Sequence, residues 1–352
     1  MATVLLPLLP LRAAGTVWSG FSAGPVLTES DDASRFDSGY VADPTVVYDG
    51  DTNKYFMYYT GCTDEHRVNR EALGLATAAS LDGPWTKYDG AGDRRALMTP
   101  GLPGDYDYNR NWGAGTIRKT AANAWEMWTV GDEGTEKYGH HIGRVGYATS
   151  TDGYHWTKVH GSKYGGAVLE DFSATVAGIG TIAVLKEDGA YNAWYSMLGI
   201  GGPVKYATSP NGTDWTIQGS VQLLGDIYSV DNVVRFGDTY YMAASRSSLA
   251  GIDFYTSKDK TTWTLLDGAS LTPSGTGWDA VRAYQSGWFP VSETDWRLFY
   301  TGANVADDTQ SVIGYARATF PSPEPSAACL SGIGLFLLLA WHQYVQRRTA
   351  TQ

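Results

Sequence analysis

The stretch "GYVADPTVVYDGDTNKYFMYYTG", residues 39–61, sets an aspartate, Asp43, at the mouth of a strand rich in Val, Tyr and Phe, with Pro44 directly after it. A carboxylate held there can take a proton from water or attack an electrophile. A second carboxyl group must then return a proton to the leaving group. That partner has to share a face of the fold with Asp43. "SVDNVVRFGDTYYM" offers Asp231 and "VLEDFSATVAG" offers Glu170. Asp231 reads equally as a cap at the start of a strand, and Glu170 as a solvated loop charge.

The elements that must position these groups repeat along the chain. Four turns carry related text: "SLDGPWT" ending beyond Trp85, "STDGYHWT" beyond Trp156, "SPNGTDWT" beyond Trp215 and "SKDKTTWT" beyond Trp263. A small-and-apolar strand precedes each turn: "LGLATAA", "RVGYATS", "PVKYATS" and "IDFYTS". A fifth copy, "VIGYARATF", ends at Phe320 without a Trp. Before these lie the aromatic strands "YFMYYTG", "WEMWTVG", "YNAWYSM", "YYMAASR" and "WRLFYTG". The result is five units of roughly 50–70 residues, the period of a radial or stacked array.

Each unit explains itself physically. Alternating large apolar residues suit strands buried between neighbouring sheets. In the Ser-x-Asp-Gly turn the Ser or Asp side chain satisfies free backbone N–H groups, and Gly takes the positive φ. The Trp starts an outer strand and covers the next sheet. Such units bury both faces only when arranged around an axis. The expected fold is all-β: a five-bladed β-propeller over residues 16–320, four strands per blade. Blade five stops after its third strand. "TVWSGFSAGPVLT", residues 16–28, supplies the missing outer strand and removes an open edge.

An Asp recurs at the start of each unit: Asp37, Asp107, Asp171, Asp226 and Asp279. Repetition marks these as structural caps, spending their oxygens on backbone N–H groups. Six residues on from each lie Asp43, Gly113, Ala177, Asn232 and Gln285. On that alignment only the first blade carries a carboxylate, so the repeat does not require Asp43. Pro44 suits an innermost strand, whose free edge faces the channel.

"ADPTVVYDGDTNKYFMYYTG" resembles the first blade of the five-bladed glycoside hydrolase group, the arabinanases, β-xylosidases, invertases and levansucrases of families 43 and 32. The resemblance implies a glycoside hydrolase acting on an extracellular polysaccharide or oligosaccharide, with Asp43 as general base or nucleophile. In that group a second Asp and an acid Glu sit at the starts of later blades' first strands. Here the aligned positions carry no acid, which leaves Asp231 and Glu170, with the loop carboxylates Glu65, Glu133 and Glu136 in competition. Arg110, Asn111 and Trp112 form a candidate sugar platform, and His66, Asn232, Arg282 and Gln285 complete the candidate substrate contacts. The reading calls for no metal and no cofactor. The alternative is a non-catalytic cell-surface propeller that binds glycans or proteins.

Composition narrows the partners. The net charge of -11 and the absence of a basic stripe argue against nucleic acid. Of the two cysteines, Cys62 lies in the body and Cys329 in an apolar tail, which excludes a disulfide scaffold. Residues 1–15, "MATVLLPLLPLRAAG", read as the remnant of a signal peptide. Residues 321–352 carry Pro323-Glu324-Pro325, an apolar run from Ala327 to Trp341, then Arg347 and Arg348. This tail resembles the PEP-CTERM sorting signal of exported bacterial proteins. It implies a short C-terminal helix, processing by exosortase-like machinery, and transient membrane insertion on the way to the cell surface or medium. A monomer is expected.

Overall fold

The computed structural model describes residues 18–19, 21–63, 71–137, 140–173, 176–198, 202–306 and 310–319. Strand β1 spans Trp18–Ser19. Blade one holds β2 (Tyr40–Asp49), β3 (Lys54–Cys62), β4 (Ala72–Ala78) and β5 (Thr86–Lys87). Blade two holds β6 (Arg110–Ala121), β7 (Ala124–Lys137), β8 (His140–Ser150) and β9 (Trp156–Val159). Blade three holds β10 (Ile179–Glu187), β11 (Ala190–Met197), β12 (Val204–Ser209) and β13 (Thr216–Ser220). Strand β14 (Gln222–Leu223) leads into blade four, with β15 (Ile227–Phe236), β16 (Thr239–Arg246), β17 (Ile252–Ser257) and β18 (Thr262–Leu265). Blade five holds β19 (Arg282–Ser292), β20 (Asp295–Ala303) and β21 (Val312–Thr319).

Consecutive strands pair antiparallel within each blade. The first strands β2, β6, β10, β15 and β19 touch one another in a closed ring, so the five sheets surround one axis. Blade five is completed by β1, with Trp18 opposite Ala318 and Ser19 opposite Arg317, and Leu27 bridges to Ile313 further along. Blade four departs from the four-strand expectation. It carries β14 as a fifth strand, parallel to β18. The tail helix expected near residues 327–345, and residues 1–15, lie outside the described residues.

The repeated turn locks neighbouring blades. Ser150 Oγ accepts Gly153 N–H, Ser209 Oγ accepts Gly212 N–H and Ser257 Oγ accepts Lys260 N–H, each at 2.9 Å. The carbonyl at the turn's positive-φ residue then accepts two donors. One is the turn's own indole: Trp156 on Gly153 O, Trp215 on Gly212 O and Trp263 on Lys260 O. The other comes from the second strand of the preceding blade: Tyr58, Trp128 and Trp194, each at 2.8 Å. The repeat Trp therefore faces the blade before it, not the next one as expected, because its turn is bonded to the second strand of the preceding blade. These three junctions pack aromatic rings and satisfy their buried donors, whereas the Trp85 indole N–H of blade one is buried without a partner among the described residues.

The recurring Asp residues are structural, and among the described residues they bond side chains instead of the expected backbone N–H groups. Asp37 takes Arg35 Nε (3.0 Å), Tyr59 OH (2.7 Å) and Lys87 Nζ (2.7 Å). Asp171 takes Tyr195 OH and Lys205 Nζ, and Asp279 takes Tyr300 OH and Ser274 Oγ. Asp226 accepts the Ser247 hydroxyl. Burial pulls the Asp37 carboxyl upward, but its cations and Tyr59 outweigh it, and it stays below the usual range.

Candidate functional site

Every first strand is broken by a bulge near its N-terminal end. The extra residues are Asp43-Pro44 in β2, Trp112-Gly113 in β6, Gly180 in β10, Asp231 in β15 and Gln285 in β19. A bulge bends its strand and re-aims one side chain out of the ladder. All five turn toward the axis and line one cavity of about 360 Å3, its open mouth included. Thr181, Val230 and Ser286 complete part of its wall.

This geometry corrects the alignment read from the sequence. Asp171 to Gly180 spans nine positions and Asp226 to Asp231 five, against six from Asp37 to Asp43. A small bridge between Ser173 and Val176 lies within the longer blade-three segment. Gly180 and Asp231, not Ala177 and Asn232, are therefore the counterparts of Asp43. Two blades place a carboxylate at the bulge, where the sequence showed one.

Asp43 is partly exposed and has φ 54°. Its N–H donates to Thr301 Oγ1 at 3.0 Å. Left-handed backbone is unfavourable for a non-glycine residue, and a residue before proline prefers extended backbone. Among the described residues, the only other non-glycine residue with positive φ inside a strand is Gln285, at φ 40°. Both strained positions sit on the cavity.

Asp231 is surrounded by hydroxyls. Ser229 Oγ donates to Oδ1 at 2.5 Å. Ser245 Oγ and Ser286 Oγ donate to Oδ2 at 2.8 Å each, and Ser286 N–H donates to it at 3.0 Å. Burial pushes this carboxyl up to about 6, against the opposing pull of those hydrogen bonds. An acid in that range exchanges protons near neutral pH.

The remaining candidates divide sharply. Trp112 lines the cavity, its indole N–H on Gly180 O at 3.0 Å, with the Arg110 guanidinium 5.1 Å from its ring centroid. Arg110 is held by Asp132 (2.7 Å) and Glu71 (3.9 Å), so it braces Trp112. Gln285 lines the cavity, and its amide oxygen is buried without a hydrogen-bond partner.

The others face away. Asn111 is fully buried and donates to Asp107 at 3.3 Å, which removes it from contact with a ligand. Asn232 donates to Trp288 O and accepts its neighbour's N–H, because it follows the bulge instead of forming it. Arg282 donates to Ala306 O in the loop that follows β20. Glu170 pairs with Arg144 at 3.1 Å and is not in the cavity wall, and Glu133 pairs with the same arginine at 3.3 Å. His66 and Glu65 lie outside the described residues, and the side chain of Glu136 is not among those described.

Sequence reasoning missed Ser229, Ser245 and Ser286. A signal was present for one of them, since four of the five aromatic strands carry a Thr or Ser at the same place: Thr60, Ser196, Ser245 and Thr301.

No protein-family model matches the sequence, and no curated protein matches it. Solved structures do match in shape. A glycoside hydrolase aligns with TM-score 0.60 and 18% identity, over 87% of this protein and 96% of that one. An N-acetylgalactosamine deacetylase from F. plautii, in complex with blood group B trisaccharide, aligns with TM-score 0.62 and 15% identity, over 87% and 95%. The α-L-arabinofuranosidase of Podospora anserina, in complex with cellotriose, aligns with TM-score 0.57 and 13% identity, over 88% and 98%. At these identities the likeness is one of fold, and this protein shares its five-bladed propeller with carbohydrate-active enzymes.

Proposed function

We propose that this protein is a glycoside hydrolase of extracellular polysaccharides or oligosaccharides. One observation carries the reading: two strand bulges aim two carboxyl groups, Asp43 and Asp231, into one axial cavity. Glycosidic cleavage requires such a pair. Asp231, pushed up to about 6, is the general acid that protonates the leaving oxygen. Asp43, on strained backbone and partly exposed, is the general base or nucleophile. Trp112 offers its braced ring to the apolar face of a sugar, and Gln285 offers an amide to hydroxyls. The fold shared with the arabinofuranosidase supports the same reading.

Hydrolysis of aryl arabinosides, aryl xylosides and fructans tests it. Asp43→Asn and Asp231→Asn each lower kcat/KM by roughly 10²–10⁴-fold, the range for lost acid–base catalysis. Product anomers followed by NMR then assign Asp43 as nucleophile (retention) or base (inversion). If wild type and both variants release nothing yet bind a glycan equally, the protein is a binding module.

We further propose that the protein is exported as a monomer and that residues 321–352 are its sorting signal. Support comes from the Pro-Glu-Pro break, the apolar run and the basic pair Arg347-Arg348. Deleting residues 321–352 should stop surface processing while leaving the cavity chemistry intact. A truncated protein that is still processed normally rejects this.

A further inference from the structure

Behind the bulges lie buried hydroxyls at one matching place in four of the second strands: Thr60, Ser196, Ser245 and Thr301, with Val130 there in blade two. Two of them link the Asp231 carboxylate to the Asp43 backbone. Asp43 N–H donates to Thr301 Oγ1 (3.0 Å), which donates to the Gln285 carbonyl (3.4 Å). Gln285 N–H donates to Ser245 Oγ (2.7 Å), which donates to Asp231 Oδ2 (2.8 Å). Blade five's bulge therefore spans from blade one to blade four, and does so on strained backbone at φ 40°.

The donor directions decide where a proton can sit. A backbone N–H only donates. With Gln285 N–H on its oxygen, the Ser245 hydroxyl turns its own proton to Asp231. Ser286 N–H is a second obligate donor to the same Oδ2. With Ser286 N–H and the Ser245 hydroxyl already donating to it, Oδ2 is the less favourable seat for a proton. The proton of neutral Asp231 is left to Oδ1, which meets only the Ser229 hydroxyl among the described residues.

We propose that Ser245 is a positioning residue for the Asp231 proton: aimed by Gln285 N–H, it loads Oδ2, confines the transferable proton to Oδ1, and ties Asp231 to Asp43 through Gln285 and Thr301. The proposal rests on the reading of Asp231 as the acid. The groups facing Asp231 are Ser229 on its own strand, Ser245 on β16, Ser286 on β19 and, across the cavity, Asp43. Thr181 on β10 bonds the neighbouring Val230 N–H. No cation among the described residues pairs with Asp231, so hydroxyl and amide donors alone oppose its burial.

The test is an NMR titration of the full-length protein carrying 13C-carboxyl-labelled aspartate, with the Asp231 signal assigned by its loss in Asp231→Asn. A hydrogen bond to the ionised form lowers a pKa, so removing it raises the midpoint. Ser245→Ala should raise the Asp231 midpoint by about one unit. Ser245→Thr keeps the hydroxyl, and threonine occupies the matching place in two other blades, so its midpoint stays at the wild-type value. Ser245→Cys, close in size and a weak donor, should give a smaller rise and serves if the alanine variant does not fold. An unchanged midpoint in Ser245→Ala, or in Ser245→Cys where alanine does not fold, overturns the proposal even if the melting temperature falls. The titration needs no substrate. A shifted midpoint in a protein that cleaves no glycan upholds the positioning role and rejects only the glycosidase reading.

Discussion

At the residue scale, two aspartates on equivalent bulges differ in their surroundings. Asp43 has a strained backbone, and its N–H is anchored by Thr301. Asp231 has its carboxylate caged by three serines. A carboxyl raised by folding binds more protons in the native than in the unfolded state between its two pKa values. Its stabilising contribution is full below the unfolded value near 4 and is lost as pH rises through about 6. Asp231→Asn removes this dependence. Denaturant titrations at pH 4 and pH 7 should show wild type losing on the order of 2–3 kcal/mol more than the variant across that window. Equal losses would show that Asp231 titrates normally in the folded protein.

At the element scale, the bulges need close neighbours. A Cβ on Gly287 of β19 would lie 2.6 Å from Pro44 O, a backbone atom with no room to yield. This glycine lets blade five press against the Asp43-Pro44 bulge. Gly287→Ala should destabilise by about 1–3 kcal/mol through overpacking. It should also lower turnover on any glycan substrate, because Asp43 moves with Pro44. Gly113 is required for a different reason. It has φ 142° at the bulge facing Asp43, where space is adequate and backbone conformation is not. Gly113→Ala should cost about 1 kcal/mol or more in thermal unfolding from φ alone.

At the scale of the whole molecule, the ring depends on its closing strand. Trp18 is buried, donates to Ala269 O at 2.6 Å and packs on Phe254 at 5.4 Å between ring centroids. It thus does for the fifth junction what the repeat tryptophans do for the others, from the opposite end of the sequence. Trp18→Ala should lower stability by about 3–5 kcal/mol, the usual loss for a buried Trp. Calorimetry should show one cooperative transition at a lower temperature. A normal transition would mean that the ring closes without β1.

The blade count, the strand order within a blade, the structural role of the recurring Asp residues and the closing strand were all legible in the sequence. Each rests on local patterning that repeats: aromatic alternation, the Ser-x-Asp-Gly turn and the Trp after it. Asp43 was legible for the opposite reason, as an exception to a repeat. The partner carboxylate was visible as a residue but not as a counterpart. Its register depends on the length of the segment before each first strand, and that length differs in blades three and four. Only tertiary structure decided which residue of each first strand leaves the ladder. It brought Asp231 beside Ser245 and Ser286, and it turned Asn111, Asn232, Arg282 and Glu170 away. The physical reason is that a bulge is set by contacts between blades. Serines far apart in the sequence act on one carboxyl only once the ring has closed.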